Sequence, residues 1–341
     1  MASNEIPMTG GRTTLASSVG QFLKDNPSLH LGGQVDFHEE RRHHLEVFGF
    51  HNLPQEKQGP IGRVEFAEVR GRHGTVPVSL FYPRNFEDSR RGMSKGDIKT
   101  PALVYMHGGG YTVGSVDEFE NGLRLLAEKA NMITIGVEYH LAPEFPFPHA
   151  LDDYADVLVW AQGEEGSSRG IDSDRVIGGG DSAGGNMTAA LALRLEDEGK
   201  KQMKGQLLLY PEARLPFDTP AASENNSGYY LECNGIFSFA DHYLPRAPNE
   251  HYPPAHRYIS PGMQKVEDLK GLPRAALFTC GFDPLRDVGV EYGHKLQKAG
   301  TQVDWHHYPD LTHGFLQMAP WSEEAMKAVA ECAEGMKKLV L

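Results

Sequence analysis

The residue types with the most chemistry in them stand at Gly180-Asp181-Ser182-Ala183-Gly184-Gly185. This G-x-S-x-G follows the short apolar run RVIGG (175–179) and precedes an apolar helical stretch (183–198). A serine between glycines at a strand-to-helix turn can be thrust above a sheet, because missing Cβ atoms let chain and helix crowd together. The motif alone is weak, since a plain turn or a phosphate-binding loop uses the same residues. A dinucleotide fingerprint forced onto Gly178 and Gly180 would put its third glycine at Ala183, and no Walker lysine accompanies it. His107-Gly108-Gly109-Gly110 is the second candidate. Consecutive glycines leave backbone N–H groups open to a developing oxyanion. Acyl transfer by a serine further needs a base and an acid, in the chain order Ser, Asp, His. Asp283 lies in GFDPLRD and His313 in LTHGF, each just after an apolar run. Asp287 is the rival acid, although a helix N-terminus alone gives a carboxylate reason to be there. His38, His43 and His44 lack an H-E-x-x-H pattern and an acidic partner set, so they are read as surface and not as a metal site.

These groups need a scaffold. Residues 63–70 alternate polar and apolar, turn at 71–74, and pair with 76–82 as a hairpin. A polar surface loop is expected over 84–100. From residue 101 onward, short apolar runs (ALVYMH, MITIGVEY, RVIGG, GQLLLYP, RAALFTCG, TQVDWHHYP) alternate with helical stretches at 151–161, 183–198, 285–299 and 322–340. That alternation predicts a mostly parallel sheet covered on both faces, with catalytic groups at the carboxyl ends of its strands. Between 212 and 268 the alternation stops, in a segment rich in Pro, Asn and Tyr. The expected division is an N-terminal arm (1–60), a first core part (61–211), an inserted segment (212–268) and a second core part (269–341). Within the arm, 34–48 reads as a helix packing through Val35, Phe37, Leu45, Val47 and Phe48. Tyr229, Tyr230, Phe237, Phe239 and Tyr243 read mostly as a small core of the insertion itself. Two N-x-S/T triplets start at Asn186 and Asn225; the first is read as chance and the second as relevant only to a secreted protein.

Composition bounds the function. The 341 residues are 40% hydrophobic and 23% charged, an ordinary globular balance. A net charge of −13 argues against a general nucleic-acid binder, which must neutralise phosphates. No run approaches the roughly 20 apolar residues of a membrane helix. Cys233, Cys280 and Cys332 are too scattered for a disulfide framework or a CxxC metal site. Free thiols and the lack of a secretory apolar stretch lead to a cytoplasmic expectation; Arg12 with Ser and Thr keeps an organelle-targeting reading beside it.

HGGGY, EYHLAPEFPFP, GDSAGGN, DPLRD and HGF, in that order, resemble the hormone-sensitive-lipase-like carboxylesterases of the α/β-hydrolase superfamily over about residues 60–341. The resemblance implies an α/β fold with an eight-stranded, mostly parallel sheet and a helical cap built from the arm and the insertion. It implies Ser182 as nucleophile, His313 as base and Asp283 as acid. It maps the oxyanion donors to the N–H groups of Ala183 and of Gly108, Gly109 or Gly110, without separating these glycines. His140 stands where the family commonly has arginine, and Asp310 where it has glycine. The expected activity is hydrolysis of short- to medium-chain esters through an acyl-enzyme, with a small-molecule ester as partner and neither metal nor organic cofactor. Amide, lactone or thioester hydrolysis, and a non-catalytic ligand-binding role, remain open at this point, as does a homodimer.

Overall fold

The computed structural model of the chain describes residues 5–33, 36–89, 99–215, 217–244 and 252–341. Eight strands form one sheet: β1 (Arg63–Gly71), β2 (Gly74–Tyr82), β3 (Thr100–Met106), β4 (Ile133–Val137), β5 (Ile171–Asp181), β6 (Gln206–Leu209), β7 (Ala275–Phe282) and β8 (Val303–Thr312). Their order is β1-β2-β4-β3-β5-β6-β7-β8. The pairs β1/β2 and β2/β4 are antiparallel and the remaining pairs are parallel. The continuous apolar runs follow from burial on both faces: every residue of β4, β6 and β7 is buried.

The longer helices are α1 (Ser17–Asp25), α2 (Phe37–Phe48), α3 (Val116–Ala130), α4 (His149–Gln162), α5 (Ala183–Asp197), α6 (Cys233–Tyr243), α7 (Arg286–Lys298) and α8 (Glu323–Leu339). Ser322 caps α8 by accepting the Ala325 N–H, and Glu323 and Glu324 occupy its first turn, where the helix dipole favours acids. The arm carries α1 and α2; the insertion carries α6. The two meet at a bridge between Leu31 and Leu231. There Leu31 N–H donates to Tyr230 C=O at 2.8 Å, and Glu232 N–H to Leu31 C=O at 3.0 Å. One residue on, Gly32 crosses Gly235 so closely that a Cβ on Gly235 would strike the Gly32 backbone.

Three expectations change. The stretch 84–100 begins with a helical turn, Arg84–Ser89, and its residues 90–98 lie outside the described residues, as do Gln34 and Val35. The arm helix packs through Phe48 and in part Val47, as expected, but the rest of its inward face is not the apolar one. Leu45 is exposed, whereas Glu40, His44 and Phe48, spaced four apart, point inward. Backbone satisfies part of these polar groups: Gly32 N–H donates to Glu40 Oε1, and His44 Nδ1 lies 2.9 Å from Glu40 C=O. His44 is therefore not a surface residue, and it shares no partner with His43, which approaches Ser28 Oγ at 3.4 Å, or with His38, which stacks on Phe37. Finally, the aromatics of the insertion do not form a core of their own. Tyr230 packs on Phe48 and His44 of the arm, Tyr243 stacks on Tyr111 at 3.7 Å, and the Phe239 ring fills the space where a Cβ on Gly110 would be. Phe237 is exposed.

Candidate active site

Ser182 sits between β5 and α5 with φ 53 and ψ −118, a backbone conformation that a serine adopts only when its surroundings impose it. The imposition is visible. A Cβ on Gly180 or Gly184 would collide with the Met106 carbonyl at the end of β3. Ser182 N–H donates to Leu209 C=O at 2.9 Å, and Ser182 C=O accepts from Asn186 N–H and Glu212 N–H at 3.0 and 3.1 Å. The turn is thus clamped between β3, β6 and the start of the insertion, and it lifts Ser182 to the carboxyl edge of the sheet. Ala183 opens α5, so its N–H is among the helix's intrinsically unpaired donors.

The glycine loop follows β3. Gly109, Gly110 and Tyr111 all have positive φ, of 110, 57 and 63. A Cβ on Gly109 would collide with the Val113 carbonyl, so this loop requires glycine there. Gly108 is a correction within the donor set. Its N–H already donates to Asp181 Oδ1 at 2.8 Å, which leaves Gly109 and Gly110 as the open positions of the run. Asp181 also accepts from Tyr105 O–H at 2.8 Å, and burial pushes its carboxyl up to about 6. His140 N–H and Nδ1 both contact Asp153 Oδ2, at 2.9 and 2.8 Å. A guanidinium reaches the loop from the arm instead: Arg41 donates to Thr112 C=O at 2.7 Å and to Ala142 C=O at 3.1 Å.

Asp283 and His313 follow β7 and β8, which are neighbours in the sheet. Asp283 Oδ2 lies 2.9 Å from His313 Nδ1, and Asp283 Oδ1 accepts from Leu285 N–H at 2.8 Å. Both side chains are at most 1% exposed. With Nδ1 directed at a carboxylate, which only accepts, Nε2 presents its lone pair. That atom is buried and makes no hydrogen bond among the described residues. Asp287 is engaged elsewhere. It pairs with Arg286 Nε at 2.9 Å and accepts the N–H groups of Gly10 and Ala221 at 3.0 and 2.9 Å. It joins arm to insertion rather than addressing His313.

A clamped serine, an imidazole oriented by a buried carboxylate and open N–H groups on adjoining loops are the parts that acyl transfer requires. A family model described as alpha/beta hydrolase fold matches residues 103–317. The chain belongs to this family. It falls in the hormone-sensitive-lipase-like branch of the α/β hydrolases. It is 33% identical over 268 residues to the esterase LipI of Mycobacterium tuberculosis, covering 79% of each protein. It is 32% identical over 265 residues to an ethyl acetate hydrolase of Pseudomonas putida, covering 77% of this hydrolase and 79% of that one. Its structure resembles the hyperthermophilic esterase of Pyrobaculum calidifontis with a TM-score of 0.84 at 29% identity, over 96% of this chain and 99% of the other.

Sequence reasoning missed several site residues. Glu212 is 3% exposed beside Ser182, and burial pushes its carboxyl up to about 8. Asn225, fully buried, donates to Gly281 C=O and to Asp283 C=O, both at 3.1 Å. Asn186 donates to Glu212 C=O and Ile259 C=O. Both triplet asparagines are thus structural. No signal in one sequence marks such residues, since their partners are backbone groups distant in the chain.

Proposed function

We propose that this carboxylic ester hydrolase works through Ser182, His313 and Asp283, with the N–H groups of Gly109, Gly110 and Ala183 as oxyanion donors. The observation that carries the reading is the Asp283–His313 hydrogen bond, which leaves Nε2 with a lone pair at the sheet edge that bears Ser182. Ser182 Oγ attacks the ester carbonyl while His313 Nε2 takes its proton. Asp283 holds the tautomer and stabilises the imidazolium. The N–H groups receive the oxyanion, and His313 returns the proton to the leaving alcohol. Water then repeats the sequence on the acyl-enzyme. A single lost oxyanion donor typically lowers the rate by ~10²–10³.

The arm and the insertion act as a cap, and the substrate is a small ester with an acyl chain of roughly two to eight carbons. Tyr243 against Tyr111 and Phe239 over Gly110 support a pocket of finite depth. Each methylene that finds apolar wall adds ~0.8 kcal/mol, until the wall is reached. The enzyme acts in the cytoplasm: its three cysteines are free thiols, and no helix among the described residues is long and apolar enough to cross a membrane. The test is kcat/KM on chromogenic esters of increasing acyl length, run beside the Ser182→Ala variant. Activity should rise, then fall sharply beyond medium length. The alanine variant should drop by about 10³-fold or more. A tenth of wild-type turnover surviving in it would remove Ser182 from the nucleophile's role, and a preference for long-chain lipid emulsions would remove the finite pocket.

A further inference from the structure

The arm brings a second imidazole to the wall of a small cavity that His313 also lines. α2 is polar in composition, yet it turns His44 inward until the residue is 2% exposed. The ring's Nδ1 lies 2.9 Å from the Glu40 carbonyl, which can only accept. Nδ1 therefore carries the proton, and Nε2 presents a lone pair. That nitrogen is buried and makes no hydrogen bond among the described residues. Burial holds the ring to about 4, so it stays a neutral acceptor at neutral pH. His313 Nε2 is likewise buried and without a hydrogen bond among the described residues, its Nδ1 being directed at Asp283. Both residues line one small cavity, with Gly109, Tyr230 and Glu118 among its other walls. It has room for about one water molecule.

Deacylation needs one water molecule with two O–H groups. One proton goes to the base. The other O–H needs an acceptor of its own. We propose that His44 Nε2 is that acceptor, and that it positions the water that hydrolyses the acyl-enzyme. The proposal rests on the reading of Ser182 and His313 given above. The water oxygen bonds to the acyl carbon as its first proton passes to His313 Nε2. The second O–H is held on His44 throughout and transfers nowhere. The tetrahedral intermediate then collapses, the bond from carbon to Ser182 Oγ breaks, and His313 returns its proton to Oγ. The acid leaves with the second proton still on its oxygen. An alcohol attacking the same acyl-enzyme has only one O–H, which His313 takes. Alcoholysis therefore has no use for His44, and acylation has none either.

This asymmetry supplies the test. A short-chain aryl ester is turned over in water containing methanol by the wild-type chain, His44→Leu and His44→Gln. The free acid and methyl ester formed are counted, and rates are referred to active sites titrated by the initial burst. His44→Leu should lower kcat for hydrolysis about tenfold, with kcat/KM within twofold, so that KM falls with kcat. Its methyl ester to acid ratio should rise about tenfold, and acyl-enzyme should accumulate. His44→Gln, whose amide oxygen can accept, should recover most of the wild-type ratio. An unchanged ratio in His44→Leu overturns the proposal. So does a parallel fall of kcat and kcat/KM, which would make the residue one of acylation or of packing. Burst titration counts only functional sites, so partial misfolding does not blur the result. If the wild-type chain yields neither a burst nor methyl ester, the acyl-enzyme reading beneath the proposal fails first.

Discussion

The serine turn and the Asp283 loop stand side by side at one sheet edge but are held in different ways. The turn is gripped from within. β3 and β6 clamp it, and glycines at 180 and 184 let the Met106 carbonyl approach. The Asp283 loop is gripped from outside. Asn225 of the insertion donates to its carbonyls at 281 and 283. Arg12 of the arm in turn donates to Asn225 Oδ1 and Glu224 C=O, both at 2.9 Å. Arg286 reaches Gly281 C=O at 3.0 Å and Glu224 at 2.6 Å, while Asp287 takes the N–H groups of Gly10 and Ala221. The arm also binds the approach to His313, through Thr13 N–H to Pro309 C=O and Ala16 N–H to Asp310 C=O, both at 2.9 Å. The lesson is that the serine turn is held mainly by the sheet, with one contact from the insertion at Glu212, whereas Asp283 and the approach to His313 depend on two segments outside the sheet.

The largest effect that sharpens this contrast is at the acid. Asp283→Asn should lower kcat by ~10³–10⁴, because an amide no longer holds the imidazole tautomer or its charge. Asp287→Asn should leave kcat within about tenfold and instead reduce stability, since Arg286, 3% exposed, loses the more buried of its two charged partners. Steady-state rates per folded molecule, with melting curves, distinguish the two; a reversed order would move the acid to Asp287.

The next effect isolates the outer grip. Asn225→Ala removes two donors from buried carbonyls and should cost ~1–3 kcal/mol of stability. If the outer grip matters to chemistry, kcat also falls about tenfold through misplacement of Asp283. A variant that melts earlier but turns over at the wild-type rate would show that the sheet holds the acid by itself, and the contrast would collapse.

The smallest effect lies on the serine side. Burial raises Glu212 to about 8, so the folded chain keeps a proton that the unfolded chain releases near 4.5. Above the unfolded value, the folded state is the one binding more protons, and stability falls as pH climbs toward 8. Glu212→Gln removes that dependence. Its melting temperature should exceed the wild type's by a few degrees at pH 8–9, with the difference shrinking below pH 5. A difference independent of pH would mean that Glu212 is ionised in the folded chain.

Much of the inner region is legible in the sequence. Apolar runs ending in glycine mark β3, β5 and β7, and strand ends in one parallel sheet must gather on one edge. That is why Asp283 and His313 can be expected to meet. The outer region resists reading. α2 carries FHEERRHHLEVF, and a rule that buries apolar residues chooses Leu45 over His44. The actual face depends on the Gly32 N–H and the Glu40 carbonyl, which no side-chain pattern encodes. Tyr230, Phe239 and Tyr243 are visible as aromatics, but their partners, His44, Gly110 and Tyr111, lie more than a hundred residues away.

The crossing of Gly32 over Gly235, beside the bridge from Leu31 to Leu231, bears on how the molecule is made. Synthesis delivers the amino end first. Residues 13–48 leave the ribosome early, yet the strand partner they dock against emerges some two hundred residues later, and their anchors at Pro309 and Asp310 later still. The first-made part of the protein is thus among the last to be placed. A nascent chain interrupted after residue 211 can carry the serine turn and six of the eight strands, but it has nothing on which to lay the arm. Ser182, Asp283 and His313 are therefore set together only after the chain has been made past Asp310 and the arm laid on it.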